Sequence, residues 1–267
     1  MSAILAMNQI GLRLNFGESV RAIKAAGYQG IGIWYDFLDE YGYERGKDEL
    51  LESGLVNCVA CYIGFFNQVT ESDYRRAREK DVLRLRQAAE LGARTVLAVT
   101  GPINGMRPEE AERQVVRALT ELGPVAEQAG VKIALEPIHH MYRSEWTFLT
   151  TLETALRLVE EVDHPAVGIM FDTYHLWQEP ALMDTIHAAS GRIVGCQIND
   201  WRPITRSGND RTVMSEGCIP LAELLDAVRD AGFSDWYDVE IFSDELWELA
   251  PAEFLERCTL GYERIRR

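Results

Sequence analysis

The sequence predicts an α/β fold in the form of a single-domain (β/α)₈ barrel, or TIM barrel. Three observations lead to this prediction. Eight short apolar runs occur along the chain, and amphipathic segments lie between them. The 267 residues divided by eight give about 33 residues per unit, which suits a strand and a helix with their loops. No stretch rich in Pro, Gly or Ser divides the chain, so we expect one domain over residues 1–267.

The apolar runs are typical of buried parallel strands, because they are short, rich in Val and Ile, and bounded by Gly, Pro or Asp. In chain order the runs are ILAMNQI (4–10), GIGIW (30–34), NCVACYI (57–63), TVLAVTG (95–101), KIALEP (132–137), VGIMFD (167–172), IVGCQIND (193–200) and WYDVEIF (236–242).

The segments between the runs carry the signals of helix ends. Ser19 is the predicted N-cap of the first helix, and Gly27 its stop. A later helix is predicted to hold Pro108 in its first turn and to end before Gly130. The segments after the second and sixth runs are shorter than the others.

The loop after the first run argues against a nucleotide-binding fold. The sequence NQIGLRLNFGES contains neither GxGxxG nor GxxxxGK[ST]. Glycine-rich turns of those two types cradle the phosphates of dinucleotides and nucleoside triphosphates. We therefore expect no dinucleotide or P-loop site.

The charge balance disfavours partners that are themselves anionic. The chain holds 42 Asp and Glu against 27 Lys and Arg, a formal net charge of −15. Nucleic-acid binding draws most of its affinity from basic side chains on phosphates, and anionic membranes attract basic segments. We expect neither partner, and a small-molecule partner instead.

Leader and cysteine patterns favour the cytoplasm. The first residues lack the pattern of a secretory signal, and no run of about 18 apolar residues predicts a membrane helix. The five cysteines are an odd number in a chain of ordinary core size, which argues against a disulfide framework. Cys58 and Cys61 lie in an apolar run and are expected to be plain buried thiols.

Four polar residues lie near the ends of the last four predicted strands, each in an otherwise apolar run. They are Glu136, Asp172, Gln197 and Glu240. Strand alternation places each of them on the face that holds the small or polar residues, opposite the large aliphatic ones. Since the carboxyl ends of barrel strands meet at one mouth, we expect these four side chains to converge there.

Converging carboxylates need a source of positive charge. Two of them about 4 Å apart repel by about 4 kcal/mol at an effective dielectric constant of 20. Protonation, an Arg or Lys partner, or a metal ion could relieve this repulsion, and the inward positions of these strands contain no Arg or Lys. Oxygen ligands favour one Mg²⁺ or Mn²⁺ ion, with Co²⁺ and Zn²⁺ as alternatives. The plainer reading is that each acid is a separately paired core residue.

The same residues carry a family resemblance. LEP with Glu136, FDTYH with Asp172 and His175, QIND with Gln197, and Glu240 in the last strand resemble the xylose isomerase-like barrels. These include the sugar phosphate isomerase/epimerase proteins, and the resemblance covers nearly the whole chain. Many members carry His where Gln197 stands, whereas hydroxypyruvate isomerase-like members carry Gln.

The resemblance implies a metal-dependent isomerase or epimerase acting on a small ketose or hydroxy-ketone through an enediolate. Glu136 and Glu240 would be the acid/base pair, and all four strand-end residues the metal ligands. An inosose dehydratase-like lyase on the same site is the main alternative. A nuclease of the AP endonuclease type, disfavoured by the charge, and a barrel that binds without turnover are two others. Relatives often form homo-oligomers.

Five further residues are candidates for binding the substrate. His175 resembles the family histidine that contacts substrate hydroxyls, and His139 is expected to line the mouth. Arg202 and Arg211 lie in the long loop after the seventh run, where some relatives hold an arginine on substrate oxygens. Trp34 ends the second run and could form an aromatic wall. Each also has a plainer reading as a core, capping or surface residue.

Overall fold

The computed structural model describes residues 3–266, and its central feature is a closed barrel of eight parallel strands. The predicted single-domain (β/α)₈ fold is confirmed. The barrel strands are β1 (Ile4–Asn8), β2 (Gly30–Trp34), β3 (Val56–Gly64), β4 (Thr95–Val99), β5 (Lys132–Leu135), β6 (Val167–Asp172), β7 (Ile193–Ile198) and β10 (Trp236–Val239). An antiparallel pair, β8 (Asp200–Trp201) with β9 (Arg211–Thr212), lies between β7 and β10 in the chain.

Helices follow the barrel strands and cover them from outside. They are α1 (Phe16–Ala25), α2 (Tyr35–Tyr41), α3 (Tyr43–Ser53), α4 (Glu71–Glu90), α5 (Pro108–Ala129), α6 (Leu152–Val162), α7 (Thr173–Leu176), α8 (Leu182–Ala188), α9 (Leu221–Asp230) and α10 (Pro251–Ile265). The short segments after the second and sixth strands form two short helices each. In residues 3–266, no helix combines the length and hydropathy needed to cross a bilayer.

The start of the first helix differs from the prediction. The N-cap is Asn15 and not Ser19, which lies inside α1. Asn15 Oδ1 accepts a hydrogen bond from the Glu18 N–H, and the Glu18 carboxylate accepts one from the Asn15 N–H. This reciprocal pair satisfies two free backbone donors at once, which a serine four residues later cannot do. Gly27 follows the helix with a φ of 84°, and Pro108 and Gly130 bound α5 as predicted.

Strand register brings three polar side chains into one row across the barrel. Asp172 of β6 pairs with Gln197 of β7, and Gln197 pairs with Asp238 of β10. Below this row the barrel is filled by apolar side chains. A Cβ on Gly195 would lie 2.6 Å from the Met170 Cε atom and 3.0 Å from the Trp236 ring, so these large side chains pack closely against the glycine. The three side chains of the polar row are fully buried inside the barrel.

Candidate active site

The four predicted ligands lie at the carboxyl ends of adjacent strands. Asp172 is the last residue of β6 and Gln197 the second last of β7, while Glu136 and Glu240 directly follow β5 and β10. All four are at most 4% exposed. Buried ionisable groups of this kind are rare unless they are paired or coordinated. The expected convergence of these strand ends is thus present in the fold.

Two carboxylates and a histidine lie close enough together to hold a metal ion. Glu136, Asp172 and His175 each offer one ligand atom within 4.8 Å of the others. His175 Nε2 lies 3.8 Å from Asp172 Oδ2 and 4.0 Å from Glu136 Oε1. Asp172 Oδ1 accepts hydrogen bonds from the Tyr174 N–H (2.7 Å) and Asn199 Nδ2 (3.3 Å). These bonds hold the carboxylate with Oδ2 toward the cluster.

Arg211 enters the site from β9 and is buried, with 4% of its surface exposed. Its Nη1 donates to Glu240 Oε2 at 2.9 Å and lies 3.4 Å from Asp172 Oδ2, and its Nη2 lies 3.3 Å from His175 Nε2. The buried inward-facing positions of β5, β6, β7 and β10 hold no Arg or Lys, as the sequence indicated, and the basic residue comes from β9 instead. With Glu136, Asp172 and Glu240 all ionised, the three carboxylates and the guanidinium would carry a formal net charge of −2.

Four buried oxygens of the site lack any hydrogen-bond donor among residues 3–266, one each on Glu136, Gln197, Asn199 and Asp238, and the first two belong to predicted ligands. Gln197 Nε2 donates to Asp238 Oδ2 at 3.2 Å and to Glu240 Oε1 at 3.0 Å, which leaves Gln197 Oε1 unpartnered. Glu136 Oε1 is buried and unpartnered as well. An unsatisfied buried acceptor costs about 1–3 kcal/mol. Unpartnered oxygens in a site of formal charge −2 fit a divalent cation.

Burial and mutual repulsion disturb the protonation of the cluster. Burial, with the charges of Glu240 and Asp172, raises the pKa of Glu136 well above its usual range. Burial also raises the pKa of Glu240 to about 7, against the opposing charge of Arg211. Burial and then Arg211 lower the pKa of His175, which favours a neutral imidazole. The protein's own charges therefore leave the carboxylates under-compensated.

A cavity of about 390 Å³ opens above the cluster, and one wall of it is aromatic. Trp34 contributes to this wall at the position that the sequence indicated. Its ring centre lies 5.9 Å from those of Tyr62 and Phe242, and that of Tyr62 lies 5.4 Å from Trp146. Such a surface suits the C–H face of a ring or a short carbon chain.

The polar lining of the cavity is acidic at its rim. Glu145 and Asp244 line it, and among the described lining residues Arg211 is the one Arg or Lys. The Tyr142 hydroxyl donates to the Gly208 carbonyl at 2.7 Å, which ties the loop after β5 to the loop between β8 and β9. The guanidinium is already engaged by carboxylates, so the cavity offers little to a phosphate.

The five candidate substrate-binding residues separate into two groups. Trp34, His175 and Arg211 line the cavity. His139 Nε2 lies 3.2 Å from Gln178 Oε1, and Arg202 Nε donates to Asp210 Oδ1 at 3.1 Å. The predicted substrate contacts of all five residues stay predictions.

Three residues of the site were not singled out from the sequence. Asp238 shares the inward face of the last strand with Glu240, and Asn199 follows Gln197 by two residues. Asn8, the last residue of β1, donates from Nδ2 to Asp238 Oδ2 at 2.7 Å. Strand parity could have placed Asp238 and Asn8 inside the barrel, but their bonds to each other depend on register between strands distant in sequence.

Comparisons with known proteins agree with this geometry. The sequence profile of the xylose isomerase-like TIM barrel family matches residues 20–258. An inosose isomerase of Bacillus velezensis is 31% identical over 263 residues, covering 94% of this chain and 92% of the relative. The structure of protein SMc04130 from Sinorhizobium meliloti superposes with a TM-score of 0.93 at 30% identity, over 98% of both chains. The IOLI protein, solved with a bound zinc atom, gives a TM-score of 0.88 at 25% identity, over 98% of this chain and 97% of that protein.

Proposed function

Because the chain belongs to the xylose isomerase-like TIM barrel family, we propose that it is a divalent-metal-dependent isomerase or epimerase of a small hydroxylated ketone. The observation that carries this proposal is the buried set of four predicted ligands, two of which, Glu136 and Gln197, each hold an unpartnered oxygen. The inosose isomerase relative, whose sequence matches this chain over 92% of its length, supports the same reaction class.

The metal ligands proposed are the four strand-end residues Glu136, Asp172, Gln197 and Glu240. A divalent cation there would polarise a substrate carbonyl and make the neighbouring C–H more acidic. The oxygen-rich donor set favours Mn²⁺ or Mg²⁺, while the zinc bound in the IOLI protein keeps Zn²⁺ and Co²⁺ as alternatives.

Glu136 and Glu240 are proposed to move the proton. They follow β5 and β10, with β6 and β7 between these strands in the barrel, so they approach the centre of the mouth from different sides. One carboxylate would take a proton from the carbon next to the carbonyl, and the other would return it. Return to the opposite face of that carbon gives epimerisation, and return to the neighbouring carbon gives isomerisation.

The substrate proposed is uncharged and rich in hydroxyl groups. The aromatic wall around Trp34 would cover a carbon face, while His175 and Arg211 would contact oxygens near the carboxylates. The acidic rim, Glu145 and Asp244, would repel a phosphate. An inosose, a hydroxylated ring ketone, has this chemistry. Contacts of His139 and Arg202 with the outer end of the substrate belong to the same proposal.

The test is hydrogen exchange from D₂O into candidate ketones, followed by mass and NMR spectra. The metal-loaded chain is incubated with inososes, ketoses, hydroxypyruvate and one ketose phosphate. We expect deuterium beside the carbonyl of an unphosphorylated ketone, and conversion to an isomer. Glu136→Gln and Glu240→Gln should lose this exchange, while Glu223→Gln, an exposed residue of α9, serves as the matched control.

Other outcomes would replace the proposal. Loss of water from an inosose, seen as a lower product mass, would identify a dehydratase. Tight binding of a ketone without exchange would identify a binding protein. Full exchange in both glutamine variants would remove the acid/base assignment while leaving the reaction class in place.

A further inference from the structure

Asp238 lies inside the barrel and has no part in the mechanism proposed above. It is completely buried, in register with Gln197 on the neighbouring strand. Its Oδ2 accepts hydrogen bonds from Asn8 Nδ2 at 2.7 Å and from Gln197 Nε2 at 3.2 Å. A buried charge is costly to keep, so its place beside a candidate ligand calls for an explanation.

The amide of Gln197 can face the site in two ways. One orientation offers the carbonyl oxygen to a cation, and the other offers the NH₂ group, which cannot coordinate a metal. In the structure Gln197 Nε2 donates two hydrogen bonds, and carboxylates accept both of them, Asp238 on one side and Glu240 on the other. Glu240 is itself a candidate ligand and is bonded to Arg211. Asp238 is thus the acceptor that stands outside the ligand set.

A chain of directed hydrogen bonds fixes Asp238 in turn. Asn8 Oδ1 accepts from Trp34 Nε1 at 2.9 Å and from the Ile10 N–H at 3.1 Å, so Asn8 must turn its Nδ2 toward Asp238. A Cβ on Gly32 would lie 2.7 Å from both carboxylate oxygens of Asp238. Space and direction are therefore both specified around this carboxylate.

We infer that Asp238 is a positioning residue that holds the Gln197 amide with its oxygen toward the metal. The inference rests on the proposed metal site. Asp238 then acts through the position of its acceptor oxygen and not through its charge. It should affect metal affinity only while residue 197 is a glutamine.

The first measurement is the Mn²⁺ dissociation constant of the full chain, from the free-ion signal in electron paramagnetic resonance. Asp238→Ala removes the acceptor and should weaken Mn²⁺ binding about 10-fold or more, the usual effect of losing a group that orients a ligand. Asp238→Asn keeps an oxygen that can accept from Asn8 and Gln197 while losing the charge. It should stay within about 3-fold of wild type.

The second measurement closes a double-mutant cycle. Gln197→Leu removes the ligand, and Asp238→Ala in that background should change the dissociation constant by less than about 2-fold, because the two residues act as one unit. Should Asp238→Ala fail to fold, Gly32→Ala places a Cβ 2.7 Å from both Asp238 carboxylate oxygens and from Asn8 Nδ2, which disturbs their hydrogen bond without deleting either group. This variant should weaken Mn²⁺ binding in the same direction.

Each other result counts against the inference. Wild-type affinity in Asp238→Ala would show that the carboxylate does not orient the ligand. Equal losses in Asp238→Ala and Asp238→Asn would show that charge matters and not position. If Asp238→Ala still weakened Mn²⁺ binding in the Gln197→Leu background, Asp238 would have a general structural role. A wild-type chain that binds no Mn²⁺, Mg²⁺, Co²⁺ or Zn²⁺ would overturn the metal site itself, and the inference with it.

Discussion

Two clusters of charged residues in this molecule contain similar groups in opposite settings. On the surface, between α4 and α5, Glu71 accepts hydrogen bonds from Arg117 at 3.0 Å and from Arg75 at 3.2 Å. Those partners lower the pKa of Glu71 to about 2. At the barrel mouth, burial and neighbouring acids raise the pKa of Glu136, and its Oε1 has no partner among residues 3–266.

The two glutamates differ in whether the protein supplies a partner for their charge. The charge of Glu71 is paired on the surface, whereas that of Glu136 lacks a full partner at the candidate active site. Exposed ion pairs add little to stability, because water already solvates both partners. A buried carboxylate without a partner costs stability, and such a cost is typical of sites where a ligand or a reaction supplies the missing charge. The surface cluster should therefore tolerate substitutions that the mouth does not.

The largest expected difference between the two clusters is in turnover. Glu136→Gln should lower the rate of deuterium exchange into the substrate about 10²–10⁴-fold, the range for loss of a general acid or base. Glu71→Gln should leave the rate unchanged. Exchange rates measured by NMR at saturating metal check both. Similar rates for the two variants would remove Glu136 from catalysis.

Replacing the arginine of each cluster should affect stability unequally. Arg211→Met leaves Glu240 and Asp172 buried without their guanidinium and should lower the free energy of unfolding of the metal-free chain by about 3–5 kcal/mol. Added Mn²⁺ should recover part of this loss. Arg117→Met should leave the urea midpoint essentially unchanged. Urea unfolding with EDTA and with Mn²⁺ provides the measurement, and a loss that Mn²⁺ cannot reduce would contradict a shared cation site.

The aromatic wall should affect binding more than catalysis. Trp146→Ala removes a ring that packs against Tyr62 and Phe65 and lines the cavity. In the proposed mechanism this ring contacts the substrate but takes no part in the proton transfer. We expect KM to rise about 3- to 10-fold with kcat nearly constant, since an aromatic contact contributes about 0.5–1.5 kcal/mol beyond its buried area. An unchanged KM would show that the substrate does not rest on this wall.

The smallest expected effect is the pH dependence of the stability contributed by the surface cluster around Glu71. The pKa of Glu71 is lowered by folding, so its contribution to stability is present above its ordinary value near 4.5 and is lost as the pH falls toward about 2. The urea midpoints of wild type and Glu71→Gln should therefore differ slightly at pH 6 and converge as the pH approaches about 2. A difference that grows on acidification would contradict the pairing.

Much of the site could be predicted because it depends on short-range rules. Alternation along each strand fixes which residues face inward, and the barrel brings all strand ends to one mouth, so Glu136, Asp172, Gln197 and Glu240 could be grouped without coordinates. The same alternation and strand-end rule placed Trp34 at the mouth.

The remainder depends on contacts that no local pattern encodes. Arg211 comes from a loop whose path is set by pairing with β8, so sequence position alone could not show that it reaches the carboxylates. The bond between Asn8 and Asp238 joins residues 230 apart in the chain. At α1, Ser19 was a plausible cap by type, but Asn15 makes the reciprocal bonds with Glu18 that start the helix.

The most direct test of this account is a titration of the EDTA-treated full chain with Mn²⁺, in wild type and in Glu136→Gln, followed by calorimetry. We expect one saturable ion per chain in wild type and a dissociation constant at least 10-fold weaker in the variant, because residue 136, whose Oε1 has no partner among residues 3–266, has lost its charge. Absence of saturable binding of any divalent cation, or equal affinity in the two proteins, would contradict it.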